Sequence, residues 1–320
     1  MKKNLIVAAL TGSLLLAGSI AMQAVAADSL TLATGGTTGA YYGAGSVMAT
    51  VLNPLLENSE LTVTSTGASK ANIQLIDDEE ADLAFVQNDV MYYAYTGTDL
   101  FEEEGSYDTF AAVAGIYDET IQIVTCDDSI QTIADLAGKT VSVGDAGSGV
   151  EFNAKQILAA YDLSFDDIKV VNASFADSAD SLKDGKIDAA FVVAGAPTVA
   201  VTDLSAVKSI KLVELDDEHI EKLQGDYSFY TSTVIPAGTY KGVDADAKTV
   251  SVRATLIAST EVEEDQVYEL LAAMFDNKDA MAETVDKFNN LNLEDAVAGI
   301  SVPFHEGAKK YYEEQGITVE

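Results

Sequence analysis

From Ser29 onward, short apolar runs alternate with longer stretches whose apolar residues recur every three or four positions. The runs SLTLAT, LTVTST, ADLAFVQ, FAAVAGI, IQIVTC, TVSVG, IKVVNAS, IDAAFVVAG, KLVEL and TVSVRATLIA read as strands, most of them apolar on both faces. Between them, residues 44–56, 70–77, 149–160 and 176–183 read as helices, and from Glu263 on DQVYELLAAMF, KDAMAETV and GAKKYYEEQG are helical by pattern. The alternation predicts an α/β architecture with mostly parallel sheets.

The pattern also repeats. EEADLAFVQND (79–89) matches GKIDAAFVVAG (185–195), aligning Asp82, Ala84, Phe85 and Val86 with Asp188, Ala190, Phe191 and Val192. A Gly-rich loop precedes each copy, at 34–45 and in VGDAGSGVEFNAKQIL (143–158). Two lobes built alike are therefore expected to face each other, with loops at the carboxyl ends of their strands. Ligands of open α/β sheets bind at that end.

The first loop, ATGGTTGAYYGAG, holds five glycines between Gly35 and Gly45. It is not a phosphate loop, because no lysine follows the glycines as the Walker spacing requires. A dinucleotide fingerprint would need glycine at Met48 or, in the second loop, at Phe152. What remains is a strand, a glycine turn and a helix N-terminus. There, free backbone N–H groups and the helix dipole hold an anion without a basic side chain. Thr37, Thr38 and Ser148 can add hydroxyls, and Tyr41 and Tyr42 can supply walls or a phenol donor. A single loop of this kind reads equally well as a tight turn with core tyrosines. Two matched loops favour a clamp for a small anion such as a carboxylate.

Charge narrows the partners. There are 52 acidic and 18 basic residues, a net charge of -34, and Arg253 is the only arginine. Nothing here neutralises phosphates, so nucleic acid is excluded and anionic lipid is disfavoured. The acidic runs at 77–80 and 102–104 lack calcium-loop spacing and read as solvated faces. The single cysteine, Cys126, forms no internal disulfide and reads as a small buried side chain. His219 reads as a surface residue of a charged helix and His305 as a cap of the last helix. Two distant histidines give no metal or triad signature, and Ser148 has no base placed by motif. No catalytic group, metal or cofactor is expected.

The amino terminus reads as an export signal over residues 1–27. Lys2 and Lys3 precede an apolar stretch at 5–16, and Ala24-Val25-Ala26 offers cleavage near Ala26-Ala27. Leu16-Ala17-Gly18 is followed by Ser19, not cysteine, so no lipid attachment is expected there. Removal leaves 293 of 320 residues, enough for two lobes with their own cores.

Gln87 and Asp89 close a buried strand at the sheet's carboxyl edge. Gln87 could bond a ligand amide or carboxylate. Asp89 could pair with a ligand ammonium, which would favour an amino acid, or could cap the helix of VMYYAYTG, as could Asn88.

Seven motifs in order, ATGGTTGAYYGAG, DLAFVQNDVMYYAYTG, LAGKTVSVGDAGSG, ADSLKDGKIDAAFVVAGAPT, IPAGTY, VSVRATLIAS and VPFHEGAKKYYEEQG, resemble the TAXI family of solute-binding proteins. These proteins serve tripartite ATP-independent periplasmic (TRAP) transporters. The resemblance implies a two-lobed type II periplasmic-binding-protein fold, each lobe a mostly parallel sheet flanked by helices, with the ligand cleft between. Lobe I would comprise 28–118 and 229–320, and lobe II 119–228. It implies a periplasmic, monomeric receptor, not an enzyme, that binds glutamate, glutamine or a 2-oxoglutarate-like dicarboxylate and docks on TRAP permease subunits. The family's cleft positions fall on Gly36, Thr37, Tyr41 and Tyr42, on Thr66, Ser69 and Asn72, on Gln87 and Asp89, on Ser148 and Gly149, and on Gly195, Ala196 and Pro197. The chain departs from the family at Ala40, often threonine, at Gly43, often proline, and at Glu306, commonly proline. Arg253, in a run with a buried pattern, is expected to order the lobe or hinge rather than grip a carboxylate.

Overall fold

The computed structural model describes residues 28–319. The strands are β1 (Asp28–Ala33), β2 (Ser59–Thr64), β3 (Leu83–Gln87), β4 (Phe110–Thr125), β5 (Thr140–Ser142), β6 (Lys169–Val171), β7 (Ala189–Ala194), β8 (Lys211–Leu212), β9 (Thr231–Ile235) and β10 (Ala247–Ser259). The helices are α1 (Ala40–Leu52), α2 (Ser69–Asp77), α3 (Asn88–Thr96), α4 (Gly149–Ala160), α5 (Phe175–Asp184), α6 (Val199–Val207), α7 (Asp217–Asp226), α8 (Glu264–Asp276), α9 (Lys278–Ala282), α10 (Leu293–Val297) and α11 (Glu306–Glu314).

The strands join in the order β2-β1-β3-β10-β4-β7-β5-β6, with β8 on β4 and β9 on β10. Each lobe has a parallel trio, β2-β1-β3 or β6-β5-β7. The long strands β4 and β10 run antiparallel to each other and cross from one lobe to the other. The runs FAAVAGI and IQIVTC, expected as two strands, are one. The polar residues between them keep the ladder, with Asp118 opposite Arg253 and Glu119 opposite Val252.

The repeat is realised in the parallel trios. The Asp82 carboxylate accepts the Thr31 N–H at 2.6 Å, and Asp188 accepts the Thr140 N–H at 2.7 Å. Each aspartate thus fixes the neighbouring strand's register in its lobe, and each of those strands, β1 and β5, runs out into a Gly-rich loop and a helix. Helix α1 starts at Ala40, earlier than its apolar pattern suggests, and carries Gly43 and Gly45 inside it. Gly45 allows α1 to lie directly on β1, since a Cβ there would be 2.9 Å from Thr34 Cγ2.

The first core gathers Leu32, Met48, Phe85, Leu256, Leu270 and Tyr312. The second lobe has two clusters, one around Ile123, Ile157 and Phe191, the other around Val192, Leu204 and Tyr240. The expected lobe limit at 228/229 does not match this packing. Tyr230, Ile235, Tyr240, Val250 and Val252 bury their side chains in the second lobe's clusters. β9 pairs with the first half of β10, so that half stays with the second lobe. Apart from Phe229, which packs against the first core, the chain returns there only beyond Val252, and α8 and α11 pack there. His305 caps α11 as expected, its Nδ1 accepting the Gly307 N–H while Nε2 meets the Val262 carbonyl. Cys126 ends up half-buried at the edge of the second lobe.

The export signal lies outside the described residues. Among the described residues, no helix is long and apolar enough to cross a membrane.

Candidate functional site

The loop after β1 leads into α1, and the loop after β5 leads into α4. Both lie at the carboxyl ends of parallel strands, one in each lobe. Between them is a cavity of about 40 Å³, room for a few water molecules. Gly35, Gly36, Gly39, Ala40 and Tyr41 line it from the first loop and α1, and Asp145, Ser148, Gly149 and Val150 line it from the second loop and α4. First-turn residues of both helices therefore face the same space, where helix N-termini leave backbone N–H groups without intrahelical partners. Gly39 starts α1 with no side-chain cap, whereas the Ser148 hydroxyl accepts the Glu151 N–H of α4.

The jaws are closed on this cavity. A Cβ at Gly149 would sit 2.1 Å from Gln87 Oε1 of the opposite lobe. Built Cβ atoms at Gly39 and Gly147 would contact Phe175 and Lys70 across the cleft, at 3.7 Å and 3.8 Å.

The wall contributed by the crossing strand carries Glu119, which sequence reasoning missed. It is 2 % exposed, and the Tyr41 hydroxyl donates to its Oε2 at 2.5 Å. Tyr41 in turn stacks on Phe85 at 5.4 Å. Burial pushes the Glu119 carboxyl up to about 8, only partly offset by the Tyr41 hydrogen bond, while the Asp89 charge raises it further. Glu119 is thus protonated at neutral pH. Burial also raises Asp145, with Asp177 adding to it. Among the described residues, no lysine or arginine lines the cavity. Glu119 was hidden because YDET reads as a polar gap between two apolar runs. The available signal was that both runs could be one strand whose alternate residues face opposite sides.

The expected site residues divide into two groups. Gly36, Tyr41, Ser69, Gln87, Ser148 and Gly149 line the cavity. Ser69 Oγ accepts the Gln87 N–H at 3.1 Å, and Gln87 Oε1 is buried without a partner among the described residues. Thr37, Tyr42, Thr66, Asn72, Asp89, Gly195, Ala196 and Pro197 are not in the cavity wall. Thr37 is exposed and Tyr42 half-buried. Thr66 and Asn72 brace the strand ends behind the site, the Asn72 amide donating to the Thr34 and Phe85 carbonyls at 2.7 Å each. Gly195 to Pro197 follow β7 with a cis Ala196–Pro197 bond and rest against Lys287, whose ammonium donates to the Ala196 carbonyl at 2.8 Å. Their predecessors Val193 and Ala194 reach the cavity instead.

Asp89 neither caps α3 nor enters the cavity. It lies buried in the first turn of α3, accepting from Val90 N and, at 2.9 Å, from the Asn153 amide of α4. The Asn153 amide also donates to Tyr230, which donates to Gln156. Burial pushes Asp89 up to about 6. This polar chain ties α3 of one lobe to α4 of the other. Arg253 pairs with Asp118 at 3.3 Å on the crossing strands. Asp118 precedes Glu119, so this pair lies on the strand face opposite the cavity wall.

Ala68, also in the wall, has φ 67° and ψ -151°, a backbone region nearly confined to glycine. Ala68→Gly should therefore raise the unfolding free energy by about 1 kcal/mol, since the relieved strain outweighs the added chain freedom. Urea denaturation of the two proteins checks this; a loss of stability would mean that the Ala68 methyl contributes more than its strain costs.

A family model described as the NMT1-like family matches residues 32–316. The chain belongs to the NMT1-like family. Among solved structures, this NMT1-like chain is similar to a Bordetella bronchiseptica protein at 16% identity and TM-score 0.53, covering 81% of this chain and 76% of that one. It is also similar to a structure from work on glutathione import via GshT and the cystine ABC importer TcyBC of Streptococcus mutans, at 14% identity and TM-score 0.51, covering 82% and 95%. A putative L-cystine ABC transporter protein from Listeria monocytogenes matches at 15% identity and TM-score 0.50, covering 82% and 95%. At such identities the likeness establishes the fold, the two-lobed α/β arrangement of periplasmic binding proteins.

Proposed function

We propose that this protein is an extracytoplasmic solute-binding receptor of the TAXI type. It captures a small carboxylate-bearing solute such as glutamate, glutamine or a 2-oxoglutarate-like acid between its lobes and delivers it to the membrane permease of a TRAP transporter. One observation carries this reading: a cavity between the lobes flanked by two matched helix N-termini, one from each lobe. Such an arrangement holds a carboxylate through backbone N–H groups, consistent with the absence of lysine and arginine from the wall among the described residues. The seven TAXI-like motifs point to the transporter class. The Streptococcus and Listeria structures bear names that refer to import of glutathione and cystine, which fits a receptor for amino-acid-like solutes. The export signal would place the mature chain in the periplasm as a monomer. Its two lobes would close about β4 and β10, and the ligand would be bound, not transformed.

The test is isothermal titration of the mature chain with acidic amino acids, their amides and 2-oxo acids. Saturable one-to-one binding of a member of this panel is expected. Binding of unrelated metabolites, with no response to any of these, would sink the ligand assignment.

A further inference from the structure

We propose that Glu119 receives the ammonium group of the ligand, so that the cleft selects α-amino acids over the matching 2-oxo acids and releases a proton on binding. This rests on the receptor reading above. Glu119 sits in the cavity wall with one oxygen held by Tyr41, and no second side chain binds its carboxyl among the described residues. The groups that face it from the packed elements are Tyr41 of α1, Tyr117 of β4, Gln87 of β3, Asp89 of α3 and Asp145 of the second loop. None is a cation. Lys70 pairs with Glu104, Lys287 with Asp286 and the Ala196 carbonyl, and Arg253 with Asp118 behind the strand.

A 2-oxo dicarboxylate would bring no cation to a wall that holds two carboxyl groups, and so nothing that could stabilise Glu119 in its ionised form. A zwitterion is complementary to the whole cavity, with its carboxylate on the helix N-termini and its ammonium beside Glu119. In the empty cleft Glu119 keeps its proton because burial penalises the carboxylate. An arriving ammonium reverses that preference. The Glu119 carboxyl then gives its proton to solvent, the carboxylate pairs with the ligand, and the ligand keeps all its own protons. Since the ionised form binds, affinity rises with pH up to about 8 and flattens above it. If the acid form instead donated to a ligand carboxylate, affinity would fall with pH.

The experiment is titration of the mature chain with L-glutamate, L-glutamine, 2-oxoglutarate and glutarate in buffers of differing ionisation enthalpy, between about pH 6 and pH 9. Amino acids are expected to bind with proton release, with affinity rising by up to about tenfold per pH unit below 8. Glu119→Gln should abolish the proton release, flatten the pH profile and weaken amino-acid binding by at least about tenfold. Affinity for 2-oxo acids should not fall, and an unchanged thermal melt near pH 5 would show that the variant folds. Amino-acid binding without proton release, or tight 2-oxoglutarate binding with no amino-acid binding, overturns this inference but leaves the receptor reading intact. No binding by either class overturns both.

Discussion

Gly149→Val is expected to weaken ligand binding by about 100-fold or more while changing thermal unfolding little. A Cβ at Gly149 would lie 2.1 Å from Gln87 Oε1 and 2.4 Å from its Cδ, and Gln87 belongs to the other lobe. Gln87 is itself only 2 % exposed, so its amide has little room to swing aside. The backbone at Gly149 is helical, so the substitution strains the meeting of the lobes and not the chain itself. Both cores keep their packing, while the closed arrangement loses to the open one. Apparent affinity falls in proportion to the closed fraction, and 100-fold corresponds to about 2.7 kcal/mol. Titration gives the affinity, and small-angle scattering at saturating ligand should show a larger radius of gyration than for the native protein. Unaltered affinity would mean that a bound ligand does not draw Gly149 against Gln87.

The other large effect concerns stability. Glu119 titrates near 4.5 when unconstrained and at about 8 in the fold. Between those values the folded chain holds a proton that the unfolded chain has lost. The stability associated with this residue is therefore fully present below about pH 4.5, declines as pH rises through 8 and is absent above. At about 1.4 kcal/mol per unit, the shift corresponds to roughly 3–5 kcal/mol. Glu119→Gln keeps the shape and an acceptor for Tyr41 but cannot ionise. It should match the native protein in urea denaturation near pH 5 and exceed it by about 3–5 kcal/mol near pH 9. The large surface charge repels itself in both proteins and cancels in the difference. A stability difference that stays constant across pH would show that Glu119 ionises freely in the folded state. Asp89, raised to about 6 by burial, acts in the same direction at lower pH in both proteins.

How much of the site could be read from sequence follows from what holds each residue. The glycine loops were legible because strand, glycine turn and helix follow one another locally, and both loops line the cavity. Asp82 and Asp188 were legible as a repeat, though not as the register clamps that they are. Asp89 illustrates the limit. Its place in the chain suited a cap or a ligand contact, yet its carboxylate is taken by Asn153, 64 residues away. Gly195 to Pro197 were placed at the correct strand end, but Lys287 from the other lobe covers that turn.

By itself, then, the sequence determined the order of most strands and helices, though not β9 or α6, together with the two matched loops, the exclusion of nucleotide-loop chemistry and the lack of a basic surface for nucleic acid. These depend on periodicity, glycine spacing and composition, which are properties of neighbouring residues or of sums. The tertiary structure alone decided that YDET continues a strand, that β10 belongs to both lobes, and that Glu119 and Asp145, not Asp89, bring carboxyl groups to the cavity wall. The reason is register. Asp118 and Glu119 differ by one position on a crossing strand, and a one-residue slip of β4 against β10 would exchange the face that holds the cavity for the face that holds Arg253.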